Sequence, residues 1–384
     1  MKIPWCFFLW TACVVVVDAT TTTTTNLEEA VNHVWQGMLD ANAYQEPFLI
    51  HRPYSETPGD AVSEGVGYGM LIAWALNDSL SLDRLYDGAD QTMWNGRFYD
   101  WRVDAHNQKV AYGAATDAEQ DIAAALILVL KKMERGMWPR SRYEEYGVRA
   151  RTILDQLWNQ GITYQGTLRP GYGWGGEDFV NVGYFAPAWY RLFAEFQPNH
   201  DWMRVVDRSY AILEKSPGYA LGLVPDWMTP EGQWVYSGLG YNAYGDGRYL
   251  YKDAIRTLWR VGTDFLWNGD DRARLYLDKA QGFLETIQQA NFFQMDGSLV
   301  PAEDVWVFDG GQRQRPRREH SCLTVGMWGI PLFLRGNSSH DVISEMMTFY
   351  TPNATHWEAE NNEMYFEQFL ACFGALIFCG RWWM

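Results

Sequence analysis

Three acidic residues stand in settings that suit proton transfer. Glu64 lies in SEGVGYGM (63–70), where Gly65, Gly67 and Gly69 open a helix that continues as LIAWAL. Glycine is a poor helix former, and at such a place it lets a neighbouring backbone or a ligand come close. A carboxylate in the first turn is also favoured by the helix dipole alone. Asp117 lies in AATDAEQDIA (114–123). There Thr116 and Glu119 read as a capping box before the apolar run IAAALILVL. That gives Asp117 a helix-stabilising place and leaves Asp121, one turn on, with local contacts. Asp264 lies in RTLWRVGTDFLWNGD (256–270), with Arg256, Arg260 and Asp264 at i, i+4 and i+8 on one face of a strongly apolar helix. With Asp253 added, that face carries two acids and two arginines: an ion-paired strut, or the wall of a polar cavity. Two carboxylates across a bound sugar are what glycosidic cleavage requires, one protonated to donate to the leaving oxygen and one ionised to activate water.

Other chemistries find less support. The sequence holds no G-x-S-x-G elbow, no P-loop and no C-x-x-C pair. Its seven histidines never pair at the i, i+3 or i, i+4 spacing of a helical zinc site, so neither a metal nor another cofactor is expected. Acidic residues outnumber basic ones 47 to 31, a net charge of −16, which argues against nucleic acid as a partner. With 47% hydrophobic and 20% charged residues, the 384-residue chain can bury a large core. Aromatic residues make up 16%, with 20 Trp, more than a core is expected to need. Flat amphipathic rings suit a groove that binds sugars.

Helices must position these acids. Apolar periodicity predicts them at about 27–44, 64–77, 81–94, 117–134, 142–159, 183–196, 199–215, 250–268, 271–291, 339–349 and 362–378. Between them run loops rich in Gly, Pro, Trp and Asp, such as RPGYGWGGEDF (169–179), and alternating β-branched runs are scarce. The expected fold class is all-α, one large domain of helical hairpins arranged in a ring. Lys2 followed by IPWCFFLWTACVVVV reads as an export signal over residues 1–19, short for a membrane span, with a retained anchor as the alternative, a threonine-rich linker at 20–26 and the folded domain at 27–384. The expected location is therefore extracellular. Asn77, Asn337 and Asn353 head glycosylation sequons. Cys372 and Cys379 are about 10 Å apart along one helix and cannot bridge each other there.

At these residues the chain resembles family 8 of the glycoside hydrolases, which includes cellulases, xylanases, lichenases and chitosanases. The resemblance rests on SEGVGYGM, WRVDA (101–105), AATDAEQDIA, NVGYFAPAWYR (181–191), DAIRTLWRVGTDFLWNGDDRAR (253–274) and YFEQFLACFGAL (365–376), in the family's order over about residues 45 to 380. It implies an (α/α)6 barrel with a cleft across one end, and hydrolysis of β-1,4 linkages with inversion, the two carboxyls ~6.5–9.5 Å apart. By the same resemblance Glu64 matches the general acid, Asp264 the general base and Asp117 the carboxylate under the sugar at the cleavage point. Nearness to Asp117 would raise the pKa of Glu64. Trp101, Tyr184 and Tyr365 fall at or near aromatic positions of the family's cleft, and Trp174 joins them on the evidence of its loop. The partner expected is a β-1,4-linked polysaccharide, first a cellulose-type glucan, since Asp264 keeps the pattern in which endoglucanases are common. Chitosan, xylan and mixed-linkage glucan are the alternatives, as is an inactive sugar-binding homologue, and a monomer is expected. The sequence departs from the family at Ile255 and Leu258, where Cys and Pro are usual, and at Val182-Gly183 for Pro-Ser. The segment GQRQRPRRE (311–319) has no counterpart and reads as a solvated loop.

Overall fold

Apolar residues that cover a helix on all sides mark it as interior, and those confined to one stripe mark it as an outer layer. A computed structural model of the chain divides its helices in this way. It describes residues 21–43, 46–53, 57–233, 235, 249–250, 252–289, 306–309, 312–314, 321–336, 342–351, 356–358 and 365–384. The export signal, Asn337, Asn353 and all of GQRQRPRRE except 312–314 lie outside these residues.

Twelve α-helices occur among the described residues. They are α1 (Thr21–Asn42), α2 (Ser63–Leu76), α3 (Ser79–Thr92), α4 (Thr116–Glu134), α5 (Tyr143–Gln156), α6 (Pro187–Phe196), α7 (Trp202–Leu213), α8 (Lys252–Asn268), α9 (Asp271–Gln289), α10 (Cys322–Arg335), α11 (Val342–Met347) and α12 (Phe366–Phe378). The even-numbered helices pack side by side in a closed ring, α2–α4–α6–α8–α10–α12 and back to α2. Outside it α3 lies on α2, α5 on α4, α7 on α6, α9 on α8, α11 on α10 and α1 on α12. This is the (α/α)6 barrel, and because each inner helix is reached through an outer one, the inner helices begin at the same end.

Two small antiparallel sheets decorate the loops. One is β1 (His51–Arg52), β2 (Asp60–Val62), β3 (Arg102–Val103) and β4 (Lys109–Ala111), in that order, with Ala61 opposite both His51 and Val103. β2 runs straight into α2. The other is β5 (Tyr249–Leu250), β6 (Trp306–Asp309) and β7 (Gln312–Gln314).

Two expectations need correction. Helix α10 has no counterpart in the sequence reading: it is apolar on every side, carries Pro331, and gives no amphipathic period. Its Gly326 meets Gly374 of α12 backbone to backbone, where a Cβ on Gly374 would lie 2.2 Å from the Gly326 carbonyl. At the other end of the chain, α1 begins at Thr21 and takes in most of the threonine tract read as linker.

The tryptophans also have a use that composition hid. Trp259 stacks on Phe373 with centroids 4.1 Å apart, and Trp189, Trp382 and Tyr68 meet it edge-on. Trp74 and Trp267 extend the cluster around Trp382. Wide rings fill the axis that six inner helices enclose, so much of the aromatic content is core after all. Replacing Trp259 with Ala should lower the unfolding free energy by about 3–5 kcal/mol, read from urea denaturation. A loss below about 1 kcal/mol would show that the axis does not depend on this ring.

Candidate active site

Glu64, Asp117 and Asp253 each occupy the second position of an inner helix, α2, α4 and α8. Since these helices begin at one end of the barrel, the three carboxylates converge there. What joins them is Arg256, one turn into α8 and wholly buried. Its guanidinium donates to Glu64 Oε2 at 2.9 Å, Asp117 Oδ2 at 3.1 Å, Asp253 Oδ1 at 2.5 Å and the Tyr68 hydroxyl at 3.0 Å. Asn181 Nδ2 donates to the other Asp253 oxygen at 3.0 Å. Glu64 and Asp253 keep side-chain exposures of 20% and 26%, whereas Asp117 has 3%. The first two face the opening and Asp117 lies beneath them.

Three carboxylates around one guanidinium cannot all ionise cheaply out of water. Burial pushes the Glu64 carboxyl up; Arg256 opposes this, and Asp117 and Asp253 add to it, leaving it at about 7. Burial is thus the larger cause, ahead of the like charge of Asp117 expected from sequence. Asp117 is also raised, again chiefly by burial against the pull of Arg256.

The aromatic residues gather at the same end. Tyr365, just before α12, donates its hydroxyl to Glu64 Oε1 at 3.3 Å. Gly65 makes that possible, for a Cβ there would lie 2.7 Å from the Tyr365 oxygen. The Tyr184 ring lies 4.8 Å from the Arg256 guanidinium carbon. The carbonyl of Trp101 accepts the Ser63 N–H at 3.0 Å, which fixes this half-buried ring next to the start of α2. Trp174, 44% exposed, leans on Phe179 and Trp227. Its loop is tied to the start of α4 by the Thr116 N–H to the Pro170 carbonyl and the Thr116 hydroxyl to the Arg169 carbonyl.

Those last bonds overturn the capping box. The Thr116 hydroxyl serves the loop, and Glu119, wholly buried, accepts the Tyr99 N–H at 2.8 Å and the Tyr172 hydroxyl at 3.4 Å. Nor are the contacts of Asp121 local. It holds Arg260 of α8 through both oxygens, at 2.5 and 2.8 Å, and accepts the Trp189 indole N–H at 2.7 Å.

The structure does not bring Asp264 into this group. It lies eleven residues beyond Asp253, about 16 Å along α8, toward the opposite end of the barrel. Both its oxygens are engaged: Oδ1 by Arg191 and Asn268, each at 2.9 Å, and Oδ2 by Tyr210 at 2.6 Å. It is the strut. Sequence reasoning placed Asp253 on the same face without giving it a role, and missed Tyr68 and Asn181. The signal available was positional, because all three clustered carboxylates stand second in their helices. Asp264→Ala, which leaves Arg191 without this buried partner, should cost about 3–5 kcal/mol in stability while the folded fraction keeps its turnover. Thermal unfolding alongside active-site-normalised kcat checks this, and a selective collapse of kcat would return Asp264 to the chemistry.

Comparison with known proteins identifies the family and the fold. The profile of Glycosyl hydrolases family 8 matches residues 44–302. Endoglucanase 2 of Ruminiclostridium josui is 36% identical over 263 residues, which cover 66% of this chain and 54% of that protein. Endoglucanase A of Acetivibrio thermocellus is 38% identical over 236 residues, covering 60% and 47%. The chain thus spans about half the length of these relatives. The apo structure of a β-1,3-1,4-glucanase from Paenibacillus sp. X4 shares the fold, with a TM-score of 0.74 at 20% identity over 94% of each chain. With a profile match that takes in Glu64, Asp117, Asp253 and Arg256, the chain belongs to glycosyl hydrolases family 8.

Proposed function

We propose that the protein hydrolyses internal β-1,4 linkages of a polysaccharide with inversion, and that its substrate is a glucan. The observation that carries this reading is the pair of partly exposed carboxyls, Glu64 and Asp253, set on different helices around one buried arginine. Membership of the family supports the reaction class, and the names of its endoglucanase relatives support the glucan.

Glu64 is the general acid. With its proton held to about pH 7, it donates to the glycosidic oxygen as the bond to the anomeric carbon breaks, and the leaving sugar departs as an alcohol. Asp253 is the general base. Arg256 and Asn181 occupy one oxygen each in a fixed orientation, and the carboxylate takes a proton from water as the water oxygen bonds to the opposite face of the same carbon. Attack from that face inverts the configuration. Asp117, whose Oδ1 has no partner among the described residues, lies below and offers negative charge to the oxocarbenium-like centre. Tyr184 and Tyr365 wall the site, and Trp101 and Trp174 stack sugar rings further along the cleft.

Reducing-sugar release from soluble β-1,4-glucan, mixed-linkage glucan, xylan and chitosan tests the reading. Glu64→Gln and Asp253→Asn should each lose at least ~100-fold in kcat, with the glucan cleaved fastest by the native chain. Full activity in Asp253→Asn would remove the proposed base. Binding of oligosaccharide without cleavage of any polymer would point instead to a sugar-binding homologue. The pH dependence follows from the acid: the protonated fraction of Glu64 falls as pH rises through about 7, so kcat/KM should decline about tenfold per unit above that point. An activity flat to pH 9 would exclude Glu64 as the proton donor.

A further inference from the structure

We propose that Glu119 is a positioning residue for the cleft, its two oxygens setting the spacing of the loops that present Trp101 and Trp174. The inference rests on the reading of those tryptophans as sugar platforms. Glu119 stands in the first turn of α4, two residues after Asp117, with none of its surface exposed. One oxygen accepts the backbone N–H of Tyr99 at 2.8 Å, and the other meets the hydroxyl of Tyr172 at 3.4 Å. Each tyrosine lies two residues before one of the tryptophans. The two loops also touch directly, Phe98 against the edge of Tyr172 with centroids 5.2 Å apart.

A buried carboxyl without an arginine or lysine in hydrogen-bond contact is costly, and burial pushes this one up to about 8. Helix capping does not account for its place, since neither bond goes to the first turn of α4. What the side chain does is span two segments far apart in sequence, from the one helix that carries Asp117. A glycan lying across both tryptophans needs their separation fixed before it binds; otherwise each binding event must order the loops. The effect belongs to long substrates and to binding, because Glu119 spends both oxygens on the loops and reaches the reacting bond only through them.

The test is kcat and KM on a long soluble β-1,4-glucan for the native chain, Glu119→Gln, Glu119→Asp, Glu119→Ala, Trp101→Ala and Trp174→Ala. Glutamine keeps an acceptor for Tyr99 and a polar group for Tyr172, so it should stay within about twofold of native KM. Aspartate is one methylene too short to span both, and alanine leaves the buried Tyr99 N–H unpaired; each should raise KM about tenfold, the worth of one buried hydrogen bond, while kcat holds within about twofold. If the alanine variant does not fold, the aspartate and glutamine pair carries the comparison, and KM is insensitive to how much of the protein is folded. Native KM in Glu119→Asp and Glu119→Ala, with KM raised in both tryptophan variants, would overturn the proposal alone. A fall in kcat with KM unchanged would overturn it too, by placing Glu119 in the chemistry through Asp117. Native KM in both tryptophan variants would overturn the reading of the cleft itself, and this proposal with it.

Discussion

The guanidinium of Arg256 is the contact on which the site depends. Glu64, Asp117 and Asp253 come from three helices separated by long stretches of chain, and each would repel the others if brought together alone. Helix N-termini offer each of them a favourable dipole, but a first-turn dipole does not offset three carboxylates gathered away from water. One wholly buried cation within 3.1 Å of all three makes the assembly tolerable. It does so incompletely, because one positive charge faces three negative ones. Burial adds the larger push, and Glu64 keeps its proton to about pH 7. The raised carboxyl of Glu64 is thus a consequence of burial first and of neighbouring like charge second.

Helix α8 carries this logic along the barrel in three tiers. At the mouth Arg256 holds the carboxylates. One turn below, Arg260 is paired through both nitrogens to Asp121 of α4 and lies over the Trp259 ring, 4.1 Å from its centroid. One turn further, Asp264 takes Arg191, Tyr210 and Asn268. The lower tiers clamp α8 to α4, α6 and α7, and so fix the height at which Arg256 meets Glu64. Between them the stacked aromatic core supplies the stiffness that a ring of six helices lacks at its axis, since flat rings in edge and face contact leave few voids.

Much of this was legible along the chain. The helical ring follows from periodic apolar runs; Glu64 and Asp117 were found from their local segments, Tyr184 and Tyr365 through the family resemblance, and the four do meet. The face of α8 bearing Asp253, Arg256, Arg260 and Asp264 was also correctly drawn. What periodicity could not say is that one face of a long inner helix passes through three environments, so the acid to which the family resemblance lent the base's role lies at the far end, away from the other carboxylates. Helix α10 escaped notice for a related reason: a segment buried on all sides has no polar face to give a period. The Thr116–Glu119 pair has the spacing of a capping box, but tertiary partners in two loops outbid the local bonds.

The sequence by itself determined which segments are helices with one apolar face, their approximate extent, and that Glu64, Asp117 and Asp253 stand in first turns. These are properties of neighbours within a few residues, and spacing of three and four records them. Only the tertiary structure decided which carboxylates share a site, which of them keeps its proton, and which tryptophans fill the core. Those outcomes depend on depth along a helix axis and on charges brought together from remote parts of the chain, and neither quantity has a local signature.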